Sequence, residues 1–177
     1  YASEGEYELA IADYARAIDL EPNDAYNYFN RGAIYASEGE YELAIADYAR
    51  AIDLDPDHAM AHNNLAWTLA YDLDTEYDKA LQHAQRAVEL GPNSYNQDTL
   101  ALVYFKLERY DKALNHYDAA LKLNPESTAS CKGRGDVYLA MDNKAAALAD
   151  YEMYLSLAPE GPERDEVEQT MQALREP

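Results

Sequence analysis

The sequence predicts an all-α solenoid of tandem helix-turn-helix repeats, ended by a C-terminal capping helix. Three observations carry this prediction. Residues 1–20, YASEGEYELAIADYARAIDL, recur unchanged as residues 35–54, an offset of 34. Prolines keep the same beat at Pro22, Pro56, Pro92, Pro125 and Pro159. Inside each period the apolar side chains recur at i, i+3, i+4 and i+7, the spacing of one helical face. Self-similarity at such a period means stacked units, each burying its apolar face against its neighbours.

The elements follow in order. Residues 1–24 read as a partial repeat: Tyr1–Glu4 is the last turn of a first helix, and a second helix runs from about Tyr7 to Leu20. The chain therefore reads as starting inside a structural unit. In residues 25–58, Tyr28, Arg31, Gly32 and Tyr35 share a face of a first helix, and Ala44, Tyr48, Ala51 and Ile52 share a face of a second. Gly39 marks the turn between them. Residues 59–93 carry two extra residues within 71–76, so the inter-helix turn there is longer, with Asp74 or Thr75 as the next helix cap. Residues 94–127 turn at Glu108–Arg109, and residues 128–161 at Met141–Asn143. Each proline cannot continue the helix before it. The Asn23–Asp24 pair, Asp57, Asn93 and Ser127 supply N-caps for the next first helix. After Gly161, Pro162 suits the first position of a last helix over residues 162–177. Glu163, Asp165 and Glu166 favour its start, and Val167, Met171 and Leu174 give it a narrow apolar stripe.

The register Tyr28, Arg31-Gly32, Tyr35, Ala44, Tyr48, Ala51, Pro56 resembles the tetratricopeptide repeat pattern W-x2-L-G-x2-Y, A-x3-F, P. The later units read His62, Leu65-Ala66, Leu69, Ala80, Ala84, Ala87, Pro92; Gln97, Leu100-Ala101, Tyr104, Ala113, Tyr117, Ala120, Pro125; and Cys131, Arg134-Gly135, Tyr138, Ala147, Tyr151, Tyr154, Pro159. The remnant reads Tyr1, Ala10, Tyr14, Ala17, Pro22. The resemblance covers residues 1–161 and implies a right-handed superhelix whose work is protein binding. Three departures imply locally altered packing. Ala84 stands where a ring usually packs, the fourth unit is one residue short after Pro92, and Tyr154 replaces a small residue. The family's carboxylate-gripping subtype needs Lys, Asn and Arg in the groove. Here Phe29 and Ala33 stand at the first sites, Tyr95 and Thr99 at the later basic ones, and Asn64 alone matches.

Charge narrows the function. The chain has 34 acidic and 14 basic residues, a net charge of -20. Like charges repel, so nucleic acid and anionic membrane surfaces are excluded as partners. Fourteen acidic residues fall within residues 1–58 against three basic ones. A single cysteine, Cys131, excludes an internal disulfide framework and reads as a buried core residue. No apolar run approaches the roughly 18 residues of a membrane span, and the chain is expected to be cytoplasmic. His58 and His62 have a metal-ligand spacing, but His62 takes a packing slot. Asp72, Asp74 and Glu76 alternate in the long turn without an ion-binding glycine, and read as a solvated turn. Neither a phosphate-cradling loop nor a nucleophile elbow is present. The reading is a non-enzyme with no cofactor and no metal.

The first helix of each pair lines the concave wall. Side chains that the repeat pattern does not use point there: Tyr26, Phe29, Met60, Asn63, Asn64, Trp67, Tyr71, Tyr95, Leu102, Phe105 and Lys132. Aromatic and Met side chains on a face the core does not need mark an interaction surface. The chain is thus expected to be a protein–protein interaction scaffold gripping a peptide or protein segment in this groove, its partner neutral-apolar or basic. The alternative is a self-associating structural module, natural or repeat-engineered, joined through the truncated N-terminal repeat.

Overall fold

The computed structural model describes residues 4–176. Among these residues there are ten α-helices, one π-helical turn and no strand. The chain divides into two compact units, residues 1–91 and 92–177. The first holds α1 (Glu4–Leu20), α2 (Ala25–Ser37), α3 (Tyr41–Leu54), α4 (Ala59–Trp67), a π-helical extension of α4 (Thr68–Asp72) and α5 (Tyr77–Leu90). The second holds α6 (Ser94–Lys106), α7 (Tyr110–Leu123), α8 (Thr128–Ala140), α9 (Lys144–Leu157) and α10 (Pro162–Arg175). Within each unit every helix packs on the next in sequence.

Alanines and rings of the repeat register make the core. Ala44, Ala51, Ala61, Ala66, Ala80, Ala84 and Ala87 are fully enclosed in the first unit, as are Ala101, Ala113, Ala120 and Ala147 in the second. Small residues let helices approach closely, and Tyr48, Tyr117 and Tyr151 fill what remains. The match is tight at Gly135, where an added Cβ would sit 2.7 Å from the Tyr151 ring. Where the repeat pattern has leucine, Arg31 and Arg134 reach instead to a largely covered carboxylate on the following helix. Arg31 binds Asp47 through two bonds of 2.7 and 2.8 Å. Arg134 binds Asp150 through two more, of 2.8 and 2.6 Å. Bidentate pairs fix orientation as well as adding energy.

Three inter-helix turns share one device. The N–H of Glu40, Arg109 and Asn143 returns to the carbonyl of Tyr35, Tyr104 and Tyr138 respectively. This closes a helix only with a left-handed residue at the turn. Gly39 provides it at φ 79°, whereas Glu108 and Asp142 adopt φ 56° and 58°.

The repeated 20-residue segment folds in two ways. In α3 it begins after the Gly39 turn, and Ala44, Tyr48 and Ala51 are buried. In α1 the same sequence is helical from Glu4, through Gly5, so the helix starts before the expected Tyr7. Ala10, Tyr14 and Ala17 are less enclosed there than Ala44, Tyr48 and Ala51, their counterparts in α3, whereas Ile11 and Ile45 are both half-buried. The rest of the expected first turn, Tyr1–Ser3, lies outside the described residues.

Capping departs from expectation at two sites. Asp24, Asn93 and Ser127 cap α2, α6 and α8 as anticipated. At α4, however, the cap is His58, whose Nδ1 accepts from the Ala61 N–H at 3.2 Å; Asp57 instead holds Arg86. At α5 neither Asp74 nor Thr75 caps. Glu76 occupies that position in a left-handed conformation, φ 46°, with no side-chain cap bond. Tyr154 is accommodated because α10 brings Val167 and Met171 against it, closing a cluster with Cys131 and Tyr151.

Candidate peptide-binding faces

The two extra residues of the third repeat shape the main candidate site. They do not simply lengthen a loop. Helix α4 continues through a π-helical turn, with the Leu73 N–H bonded to the Thr68 carbonyl at 3.0 Å and the Thr75 N–H to Leu69 at 2.9 Å. Single π turns inside helices recur at functional sites. This one carries Tyr71 and Asp72 further along the first-helix face. The Tyr71 ring stacks on Trp67, centroids 4.5 Å apart and planes 30° apart.

Beside this stack lies a cavity of about 360 Å³, lined by Ala33, Ala36 and Ser37 of α2, Tyr48 of α3, and Asn64, Trp67, Thr68 and Asp72. Asn64 and the buried Tyr48 phenol share this lining, as do Thr68 and the Asp72 carboxylate. Burial pushes the Asp72 carboxyl up from its ordinary value, partly offset by the Thr68 hydroxyl. The sequence alone puts Asp72 in a solvated turn; the π turn is what brings it to the cavity. A continuous hydrophobic period across residues 65–71 is the signal that the helix runs on.

The other expected residues of this unit divide into two groups. Tyr26, Met60 and Tyr71 are exposed, at 59, 54 and 53%. Phe29, Asn63, Asn64 and Trp67 are half-buried. Phe29 and Tyr26 flank the buried His58, with centroids 4.8 and 5.0 Å away. His58 Nε2 has no hydrogen-bond partner. With Nδ1 accepting from the Ala61 N–H, the neutral ring carries its proton on the buried Nε2. Phe29 thus serves the core as much as the face. Asn63 Oδ1 is likewise enclosed without a partner.

In the second unit Tyr95 is 78% exposed, whereas Leu102, Phe105 and Lys132 are half-buried. Lys132 is tied to Asp136 at 3.3 Å and Glu163 at 4.0 Å. Asp98, which helical periodicity puts on the inward side, is instead buried and accepts the Ser130 hydroxyl of α8 at 2.6 Å. A larger cavity of about 600 Å³ lies between α9 and α10 and is bridged by Arg175–Glu152 at 2.8 Å.

The histidines have structural work. His62 Nε2 donates to the Pro56 carbonyl at 3.2 Å, so its Nδ1 accepts from His83 Nδ1 at 2.9 Å. Burial lowers both, His83 to about 4. His58 faces Ala61 rather than sharing a ligand with His62. No group of three or more His, Cys, Asp or Glu suited to a metal ion occurs among the described residues. No described helix is long and apolar enough to cross a membrane.

Family models described as tetratricopeptide repeat match residues 1–63 and 100–172, and a second such model matches residues 39–95. The chain belongs to the tetratricopeptide repeat family. Solved structures carry the same fold. MamA from Desulfovibrio magneticus RS-1 is 23% identical with a TM-score of 0.76, the match covering 86% of each chain. YrrB, described as a TPR protein with an unusual peptide-binding site, is 23% identical at a TM-score of 0.69, over 91% of this chain and 81% of its own. TTC0263 of Thermus thermophilus is 20% identical at 0.75, over 96% and 91%. No curated protein sequence matches significantly. Tetratricopeptide repeats are generally non-enzymatic scaffolds for protein–protein interaction, and this chain has their helical solenoid fold.

Proposed function

We propose that the chain binds a peptide segment of a partner protein along its first-helix faces, and that it is not an enzyme. The observation that carries this is the placement of large apolar side chains where the repeat core has no use for them. Tyr26, Met60 and Tyr71 stand exposed on α2, α4 and its π extension, beside half-buried Phe29, Asn63, Asn64 and Trp67. In the second unit Tyr95, Leu102, Phe105 and Lys132 form a face of the same kind. Exposed rings among polar groups provide anchor energy in interfaces. YrrB's described peptide-binding site supports the reading by analogy of fold. The net charge of -20 favours neutral-apolar or basic partners.

Trp67 provides the test, because it is the chain's one tryptophan. Partner binding displaces water from the indole and shifts its emission to the blue. Trp67→Ala costs about 2 kcal/mol of affinity, roughly thirtyfold. It lowers the melting temperature less than Tyr48→Ala, since Tyr48 is 1% exposed. A Trp67→Ala chain that melts early yet keeps full affinity for the partner excludes this face.

A second reading, self-association, is favoured by α1. Its Ala10, Tyr14 and Ala17 are only partly covered where the identical Ala44, Tyr48 and Ala51 are enclosed. A second copy covering that face makes the mass fall on dilution in light scattering; a mass that stays monomeric at all concentrations removes it.

A further inference from the structure

We infer that the cavity between α2 and the π-helical end of α4 is a subsite for an arginine side chain of the bound segment. This rests on the reading that the first-helix face binds a peptide, and names what that face selects.

Four observations converge. The first is shape: the cavity of about 360 Å³ is within the range of small-ligand sites, roughly 300–1,000 Å³. The second is an aromatic wall: Trp67 lines the cavity, and Tyr71, stacked at 4.5 Å, holds the indole in place. A planar guanidinium stacks on such a surface, and its electrostatic attraction to indole is the strongest among the side-chain rings. The third is charge. Asp72 lies at the cavity beside Thr68 and, among the described residues, has no cationic partner, although Arg31, Lys79 and Arg86 all have acids of their own. A half-buried carboxylate is costly unless it is paired; an incoming cation supplies the missing partner. The fourth is the set of surrounding polar groups. Ser37 and Asn64 lie on the same rim and offer neutral acceptors, which suits the several N–H donors of arginine better than the single head of lysine.

The local geometry has no role in the repeat itself. A 34-residue repeat turns without a π segment, as at Gly39, Glu108 and Asp142. The insertion in the third repeat uses two residues to bring one acid to this cavity and one tyrosine against its Trp67 wall. Local departures from a regular design concentrate at functional positions.

The test uses acetyl-argininamide, acetyl-lysinamide and the neutral isostere acetyl-citrullinamide, titrated into the full chain while the Trp67 indole N–H and the Asn64 amide are followed by NMR. The expected result is saturable shifts at both groups with the arginine probe, at least tenfold weaker binding of citrulline, and intermediate lysine. Asp72→Asn weakens arginine binding tenfold or more and leaves citrulline unchanged. Asp74→Asn removes the same charge from the neighbouring turn and has no such effect. Should Asp72→Asn not fold, the arginine–citrulline comparison on the unaltered chain decides. Equal binding of arginine and citrulline overturns the subsite, and so does an Asp72→Asn chain that binds arginine as before. Those results leave the peptide-binding face standing if a neutral aromatic probe, acetyl-tyrosinamide, still shifts the indole. The absence of any shift with all four probes overturns the subsite, and a partner that also leaves Trp67 emission unchanged overturns the face.

Discussion

Asp98 carries a desolvation cost that its single bond does not remove. It is 8% exposed on α6, and burial raises its carboxyl to about 6 against the partial relief of the Ser130 hydroxyl. A folded-state value above the unfolded one means that the folded chain holds the proton longer. The contribution to stability is present below the unfolded value near 4 and is lost as pH rises through 6. The histidine pair has the opposite sign. His62 and His83 are lowered, so their contribution is present above the unfolded 6.5 and lost as pH falls towards 4. The two effects overlap in one window, and the unaltered chain's pH profile mixes them. A substitution separates them. Asp98→Asn keeps an acceptor for Ser130 and removes the charge. It is expected to be more stable than the parent at pH 7 by about 2 kcal/mol, with the advantage largely gone at pH 4. Urea denaturation of both chains at the two pH values measures the difference; an advantage independent of pH would place the cost in packing rather than charge.

Identical helices and near-identical turns give the element scale its comparisons. The turn between α2 and α3 uses Gly39 in the left-handed region, whereas the equivalent turns use Glu108 and Asp142. A side chain in that region costs roughly 1–2 kcal/mol where glycine costs nothing. Glu108→Gly is therefore expected to stabilise by about 1 kcal/mol, a few degrees in melting temperature for a chain of this size. The gain is smaller if the unfolded chain's added freedom takes part of it. Gly39→Ala runs the other way, by a similar amount. Its Cβ would meet nothing within 4 Å, so the loss isolates backbone strain from crowding. Calorimetry of the two variants gives both signs, and matching signs would refute the shared turn device. The same comparison explains why Gly5 differs from Gly39. Glycine permits the left-handed turn but does not impose it, and in α1 the helix runs straight through.

At the scale of the whole chain, the repeat period made the helices and their pairing legible, because packing register and sequence period are the same quantity in a solenoid. Tyr48, Ala84, Tyr117 and Cys131 could be placed in the core by position alone. What could not be read was whatever depends on one local geometry. The π turn that moves Asp72, the cap taken by His58 and the burial of Asp98 each turn on a few dihedrals within an element whose type was already clear. Charge, by contrast, was fully legible, and it is unevenly distributed. Residues 1–91 carry nineteen acidic and five basic side chains, net -14, and residues 92–177 carry fifteen and nine, net -6. In the first unit Arg31, Lys79 and Arg86 form ion pairs that offset part of this, and the Lys79 and Arg86 pairs are substantially exposed. Exposed pairs contribute little, so self-repulsion outweighs them. Screening shortens its range to about 8 Å at physiological ionic strength. Melting temperature is therefore expected to rise with added sodium chloride. Amide hydrogen exchange on the intact chain should show the gain in protection concentrated in α1 to α5. A gain spread evenly over both units would assign the effect to general salting-out of apolar surface, and a loss confined to α8 and α9 would show that pairs such as Arg134–Asp150 outweigh the repulsion.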